Sequence, residues 1–173
     1  MGKLLILVNG LPGSGKSTTG RALARALNAR FLSKDAVKEA LANGVDDSAD
    51  LPELGGIAMD TVWALARAAP NSVVIDSWWF APRDTEFARL GIERTAPDRT
   101  IEIWCAAPAP VARARYSNRR RPEFHRDAHH LSTDWDTWAR NATPLGLTPT
   151  LEVDTTRPVD YAALASRIDR IAG

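Results

Sequence analysis

Four short apolar runs, separated by stretches long enough for a helix, constrain this chain more than any other feature. Leu4–Val8, Ser72–Ile75, Thr100–Cys105 and Thr150–Val153 are short and rich in branched side chains. Runs of that kind suit strands buried on both faces, as in a parallel sheet, and parallel neighbours need a crossover connection of helical length. Phe31 and Leu32 add a shorter run that supplies a fifth strand. Helices are expected over 16–28, 35–43, 53–69, 83–90, 108–120, 132–140 and 158–171. The order of elements predicts an α/β fold, a three-layer sandwich around a mainly parallel five-stranded sheet. With 173 residues and 45% apolar content, one core and a single domain over 1–173 are expected.

Charge narrows the partners. Lys and Arg number 22 against 21 Asp and Glu, so the formal charge of +1 provides no global field for long nucleic acids or anionic membranes. Anion binding has to be local. A lone cysteine, Cys105, can form neither an internal disulfide nor a cysteine metal site, and a role in strand packing is expected. The run Leu4–Val8 is too short for a membrane span, which leads to the expectation of a soluble, cytoplasmic protein, monomeric or homodimeric.

The most specific local signal is Gly10-Leu11-Pro12-Gly13-Ser14-Gly15-Lys16-Ser17, which fits the Walker A pattern and stands after an apolar strand and before a helix. Glycines let the backbone turn so that successive N–H groups point inward at phosphate oxygens, where the helix N-terminus adds partial positive charge. Gly10, Gly13, Ser14, Gly15 and Thr18 are therefore expected around a nucleotide phosphate chain. Lys16 supplies a full charge to the β- and γ-phosphates, and the Ser17 hydroxyl can join a Mg²⁺ shell. ATP and Mg²⁺ are the expected cofactors.

Transfer of a phosphoryl group to a hydroxyl benefits from a carboxylate aligned with the acceptor oxygen, and the cation needs a second protein contact. Asp76 ends the run Val73–Ile75 and Asp35 follows the Phe31 strand, so both fall at the sheet edge where open α/β folds build their sites. On residues alone, either aspartate can serve. Asp35 is also placed to cap the next helix, with Lys38 where a capping box carries an acid. Pro122 should end the helix that carries Arg113, Arg115 and Arg119 near Arg120.

These residues resemble the P-loop kinase superfamily that includes polynucleotide 5′-hydroxyl kinases, gluconate and shikimate kinases and chloramphenicol phosphotransferases, with similarity over nearly the whole chain. The resemblance implies a P-loop NTPase of the nucleotide and shikimate kinase type with an Arg-rich helical lid over about 113–131. Ser33-Lys34-Asp35 with Lys38 resembles the segment that carries the acceptor-activating Asp and a basic acceptor-binding residue, which implies the base role for Asp35; Asp76, at its strand end, is then expected with Ser17 at the metal. Lys38 stands where those kinases usually have Arg, and it lacks the bidentate fork. Trp104–Pro108 through Arg115–Arg119 resembles their strand and lid helix, with Arg119 matching the lid arginine and Arg115 one turn before it on the same helix face. Such arginines neutralise charge on the transferring group. From Arg113 to Asp127, six arginines face only Glu123 and Asp127. Val153-Asp154-Thr155-Thr156 resembles the loop that borders adenine.

Trp78, Trp79 and Phe80 follow Asp76 at the same edge and offer a platform for a flat or hydrophobic acceptor, with Arg83 and Asp84 beyond them. His125, His129 and His130 lie without a cysteine, and a metal reading of them is set aside. Trp135 and Trp138 are expected to seal a groove. The expected activity is ATP-dependent transfer of the γ-phosphoryl group to a hydroxyl of a small molecule such as a nucleoside, sugar or antibiotic. A polynucleotide 5′-hydroxyl kinase and an ATP-binding regulatory module without an acceptor are the alternatives.

Overall fold

Alternation along the first strand shows how the layers form. In the computed structural model, which describes residues 2–48 and 51–172, strand β1 spans Leu4–Asn9 and every residue in it is buried. Leu4, Ile6 and Val8 point to one face and Leu5 and Leu7 to the other, so a single strand supplies two cores. Burial of each such side chain contributes about 1.5–3 kcal/mol.

The strands β2 (Arg30–Ser33), β3 (Val73–Asp76), β4 (Arg99–Ala106) and β5 (Thr150–Asp154) complete a sheet ordered β2-β3-β1-β4-β5. Every strand pair is parallel. Helices α1 (Lys16–Ala26) and α8 (Tyr161–Ala172) cover one face; α3 (Leu54–Ala68) and α4 (Ala81–Thr95) cover the other. The three-layer sandwich with five parallel strands is the architecture expected from the spacing of the apolar runs. Cys105 is packed in the core beneath α1, 1% exposed. Among the described residues, no helix is long and apolar enough to cross a membrane.

The remaining helices crowd the C-terminal edge of the sheet. These are α2 (Lys34–Ala42), α5 (Ala109–Ser117), α6 (Asp127–Thr133) and α7 (Trp135–Asn141), with a short 3-10 turn at Glu123–His125. A third apolar cluster of Leu11, Ala112, Tyr116, Trp135 and Trp138 ties α5 and α7 to the glycine loop.

Several boundaries differ from expectation. Helix α5 ends at Ser117, so Arg119 lies beyond the helix and does not share a helix face with Arg115. The segment expected as one helix over 132–140 is two, because Asp134 interrupts α6 and α7. Helix α4 runs from Ala81, with Pro82 in its first turn where a missing N–H costs nothing, and is nearly twice the expected length. The cap of α2 is Ser33, whose Oγ accepts from the Ala36 N–H at 3.4 Å; Asp35 sits within the first turn, free for other partners.

Candidate active site

The register of the sheet assembles the site. Val8 pairs with Asp76, and Asp76 with Ser33, so the ends of β1, β3 and β2 lie side by side. The chain leaves β1 into the glycine loop, β3 into the tryptophan segment and β2 into α2. Strand order reverses around β1, the place where open parallel sheets form crevices.

Asn9 holds two of these exits together. Its Oδ1 accepts from the Gly10 N–H at 2.8 Å and from the Trp79 N–H at 3.1 Å, while its Nδ2 donates to Glu102 at 2.9 Å. Glu102 is fully buried in β4 and also accepts from the Leu145 N–H at 2.9 Å. Burial pushes its carboxyl above the ordinary range, against the hydrogen bonds that favour the ion. Neither residue was singled out from sequence. The available signal was an acid inside the apolar run Thr100–Cys105.

Gly13 has φ +86°, and a Cβ there would lie 2.1 Å from the Ala112 carbonyl oxygen, so α5 packs directly on the loop backbone. Gly10 (φ +142°) and Gly15 (φ +89°) also occupy conformations that favour glycine. Ser14 Oγ is buried among the loop atoms with no hydrogen-bond partner among the described residues. Lys16 folds over the loop, its Nζ donating to the Gly10 and Leu11 carbonyls at 2.9 and 3.0 Å. Burial lowers its pKa, and Asp76 opposes that shift. A buried ammonium above a cradle of backbone groups, with an orphaned hydroxyl beside it, fits a phosphate chain. Thr155 closes the other side: its Oγ1 donates to the Ser14 carbonyl at 2.6 Å. A cavity of about 560 Å³ runs from here along Gly15, Thr18, Arg115, Arg119 and Thr155, with the Arg115 guanidinium donating to the Thr155 carbonyl at 3.3 Å.

Sharing Arg119 with this cavity is a chamber of about 200 Å³ that Lys16, Ser17, Asp35, Lys38, Asp76 and Arg119 help to line. Ser17 Oγ donates to Asp76 Oδ2 at 2.5 Å. Asp76 is 5% exposed, and burial raises its pKa despite Lys16 and the Ser17 hydrogen bond. A hydroxyl and a buried carboxylate in contact form a hard-oxygen pair suited to a divalent cation bound also by phosphate. Asp35 behaves in the opposite way. Burial would raise its pKa, but Arg121, Lys34, His125 and Lys16 together hold it below the ordinary carboxylate range. Arg119 lines both cavities and is the arginine placed between them.

The segment expected as the lid meets α2 on one face. Asp35 accepts from Arg121 Nη1 at 2.5 Å, Lys38 Nζ donates to the Phe124 carbonyl at 2.9 Å, and Glu39 Oε1 lies 2.9 Å from His125 Nε2. Positions 35, 38 and 39 are one helical turn apart, which is why all three reach the lid. Lys38, expected as an acceptor-binding residue, lines the chamber but is already bonded to the lid backbone. Arg121 was not singled out. Its Nε and Nη2 bind Asp127 at 2.8 and 2.5 Å, and Tyr116 Oη donates to the same carboxylate at 2.8 Å.

The two tryptophans expected as a platform separate. Trp78 lines the chamber and packs against Phe80 and Trp138. Trp79 is turned into the core, 3% exposed and stacked on Trp63, because successive residues leaving a strand face opposite sides. Arg83 reaches the chamber wall with its guanidinium engaged by Asp84 at 2.7 and 2.8 Å.

Solved structures share this fold. A candidate kinase from Chloroflexus aurantiacus is 26% identical over 99% of both chains, with a TM-score of 0.76. A gluconokinase from Sinorhizobium meliloti is 22% identical, covering 96% of this chain and 92% of its own, with a TM-score of 0.63. A shikimate kinase from Bacteroides thetaiotaomicron is 19% identical, covering 96% and 97%, with a TM-score of 0.61. No curated protein matches the sequence. Residues 5–145 match the family model described as AAA domain. With most of its length inside that model, the chain belongs to the AAA domain family, and its fold is that of P-loop kinases.

Proposed function

We propose that the protein is an ATP-dependent phosphotransferase that moves the γ-phosphoryl group to a hydroxyl of a small molecule. The observation that carries this reading is the shared chamber: Lys16, the Ser17–Asp76 pair, Asp35 and Arg119 border one space between a phosphate loop and a second cavity. A switch that only binds nucleotide has no use for a carboxylate such as Asp35, which lines the chamber and not the nucleotide cavity.

Lys16 and the N–H groups of Gly13 and Gly15 bind the phosphate chain, and Thr18, Arg115 and Thr155 border the rest of the nucleotide. Ser17 and Asp76 hold Mg²⁺, which supplies neutralisation of phosphate charge. Asp35 accepts a hydrogen bond from the acceptor hydroxyl and takes its proton as the oxygen forms its bond to the γ-phosphorus and the bond from that phosphorus to the ADP oxygen breaks. Its depressed pKa keeps it ionised at neutral pH. A weak base suffices, because in a loose transition state little proton has moved when the old bond breaks. Arg119 neutralises charge on the transferring group from its place between the cavities. The whole chain acts as one catalytic domain, with about 113–131 as its lid.

A polynucleotide acceptor is less well supported. Three of the cations that line the chamber are engaged already, Arg121 by two carboxylates, Arg83 by Asp84 and Lys38 by a backbone carbonyl. Incubation with Mg-ATP and separate panels of nucleosides, sugars, aromatic alcohols and short oligonucleotides, read by mass spectrometry, tests the assignment. A gain of one phosphoryl group on a small alcohol is expected; phosphorylation of oligonucleotides alone, or of nothing at all, defeats the reading.

A further inference from the structure

The chamber opens into a second, larger space. A groove of about 550 Å³ lies between α3 and α4 and shares Lys34, Ser77, Trp78 and Arg83 with the chamber. Its volume falls in the range of pockets that enclose a small organic ligand. Trp63, Trp79, Met59, Phe87 and Leu90 supply apolar walls, and Phe87 stands 70% exposed at the mouth.

The charges around this groove are neutralised in pairs. Arg94 meets Asp60 at 3.1 Å and Arg83 meets Asp84 at 2.7 Å. Lys34 is different. Its Nζ has no hydrogen-bond or ion-pair partner among the described residues, and it lines both spaces at their junction, beside Asp35. Burial lowers its pKa, with Asp35 opposing. The floor is left open by consecutive glycines: a Cβ on Gly55 would lie 3.5 Å from Lys34 Nζ, and one on Gly56 would meet nothing within 4 Å. Two glycines in the first turn of α3 weaken that helix, and the groove is what their missing side chains leave.

Resting on the phosphotransferase reading, we propose that the acceptor is a hydroxylated compound with an aryl or comparably flat apolar body. Its reactive hydroxyl lies at Asp35, a neighbouring oxygen is held by Lys34, and its body fills the groove between α3 and α4. A polyhydroxylated or polyanionic body would lose its water there and find the charged groups already paired. An aryl body loses little water and gains contact with aromatic walls. Continuity of the groove with the chamber places both ends of one molecule at once.

The test uses two diols that differ only in the body, 3-(1-naphthyloxy)propane-1,2-diol and 3-methoxypropane-1,2-diol. Binding of each is measured by calorimetry with Mg²⁺ and a non-hydrolysable ATP analogue present, and transfer is measured separately with ATP. The naphthyl compound is expected to bind at least tenfold more tightly. Gly56→Phe, which fills the groove, is expected to abolish that advantage with affinity for the ATP analogue unchanged. Lys34→Met should weaken both diols and leave the ratio between them intact. Equal binding of the two diols, or a Gly56→Phe protein that keeps the preference, overturns the proposal. Preferential binding of the naphthyl diol without transfer supports the groove assignment and counts against the phosphotransferase reading instead.

Discussion

Arg121 of the lid donates from Nη1 to Asp35 Oδ2 at 2.5 Å, across 86 positions of sequence, while its Nε and Nη2 grip Asp127. One guanidinium therefore ties the candidate base to the lid and, through Asp127, to Tyr116 in α5. Besides closing the chamber, it supplies the largest of the charge effects that keep Asp35 ionised against burial.

A pH prediction follows from that balance. In the proposed mechanism Asp35 acts as the carboxylate, and its pKa lies below the ordinary 3.8, so its protonation should limit wild-type turnover only below that pH. Arg121→Met removes the strongest stabilising charge and leaves burial less opposed, so the acid limb of the rate profile should move to higher pH. The same sign applies to stability: a depressed carboxylate contributes above its unfolded pKa and loses that contribution as pH falls through the folded one. An acid limb at the same pH in both proteins would remove Arg121 from control of Asp35.

Asp35→Asn keeps the shape and removes the basic oxygen. Because Ser33 caps α2, the helix should be little affected, and Arg121 retains Asp127. Transfer should fall by roughly 10²–10⁴, nearer the lower end for a loose transition state, with ATP affinity close to wild type. Retention of more than about half the activity by a folded, ATP-binding variant contradicts the role of Asp35.

Asp76→Asn separates function from stability. The folded state raises the pKa of Asp76, so burial outweighs Lys16 and Ser17 and the ionised carboxylate is a net cost at neutral pH in the nucleotide-free protein. The contribution of this group is lost as pH rises from its unfolded value through the raised folded value. Asp76→Asn should therefore melt at the same temperature as wild type or higher at pH 7, while its Mg²⁺ midpoint for transfer rises. A clearly lower melting temperature would show that attraction to Lys16 dominates.

Arg119→Ala should reduce kcat far more than nucleotide affinity, since a charge between the two cavities matters most while the phosphoryl group is between donor and acceptor. Arg115, directed at Thr155 beside the nucleotide cavity, should show the reverse pattern as Arg115→Ala. Parallel losses in KM and kcat for both variants would make the two arginines equivalent phosphate clamps.

Glu102→Leu should destabilise the fold, because it leaves the Leu145 N–H without an acceptor and loosens Asn9 beneath the glycine loop. A cost of about 1–3 kcal/mol is expected in urea unfolding. If stability is unchanged, burial of the charged or protonated acid must have cost as much as its hydrogen bonds contribute.

The sequence alone determined the features that depend on short stretches of backbone. Branched apolar runs at helix-length spacing specify parallel strands because both faces must be buried. Gly10–Ser17 specifies the phosphate loop because its turns need glycine at φ values of +142°, +86° and +89°. That Asp35 and Asp76 fall at one edge of the sheet, where they line the same chamber, was legible because each ends or follows a strand.

Side-chain partnerships across the fold were decided only by tertiary structure. Ser33 rather than Asp35 caps α2, and Arg121 then takes Asp35 as its partner, an outcome set by how the lid folds back after Pro122. Trp78 and Trp79 look equivalent in sequence, yet the pleat sends one to the chamber and the other to the core against Trp63. Asn9 and Glu102 are 93 positions apart and meet because β1 and β4 are neighbours. Local propensity acts over a few residues, whereas pairing of buried charges and the shape of a groove depend on strand order and helix packing that bring distant segments together.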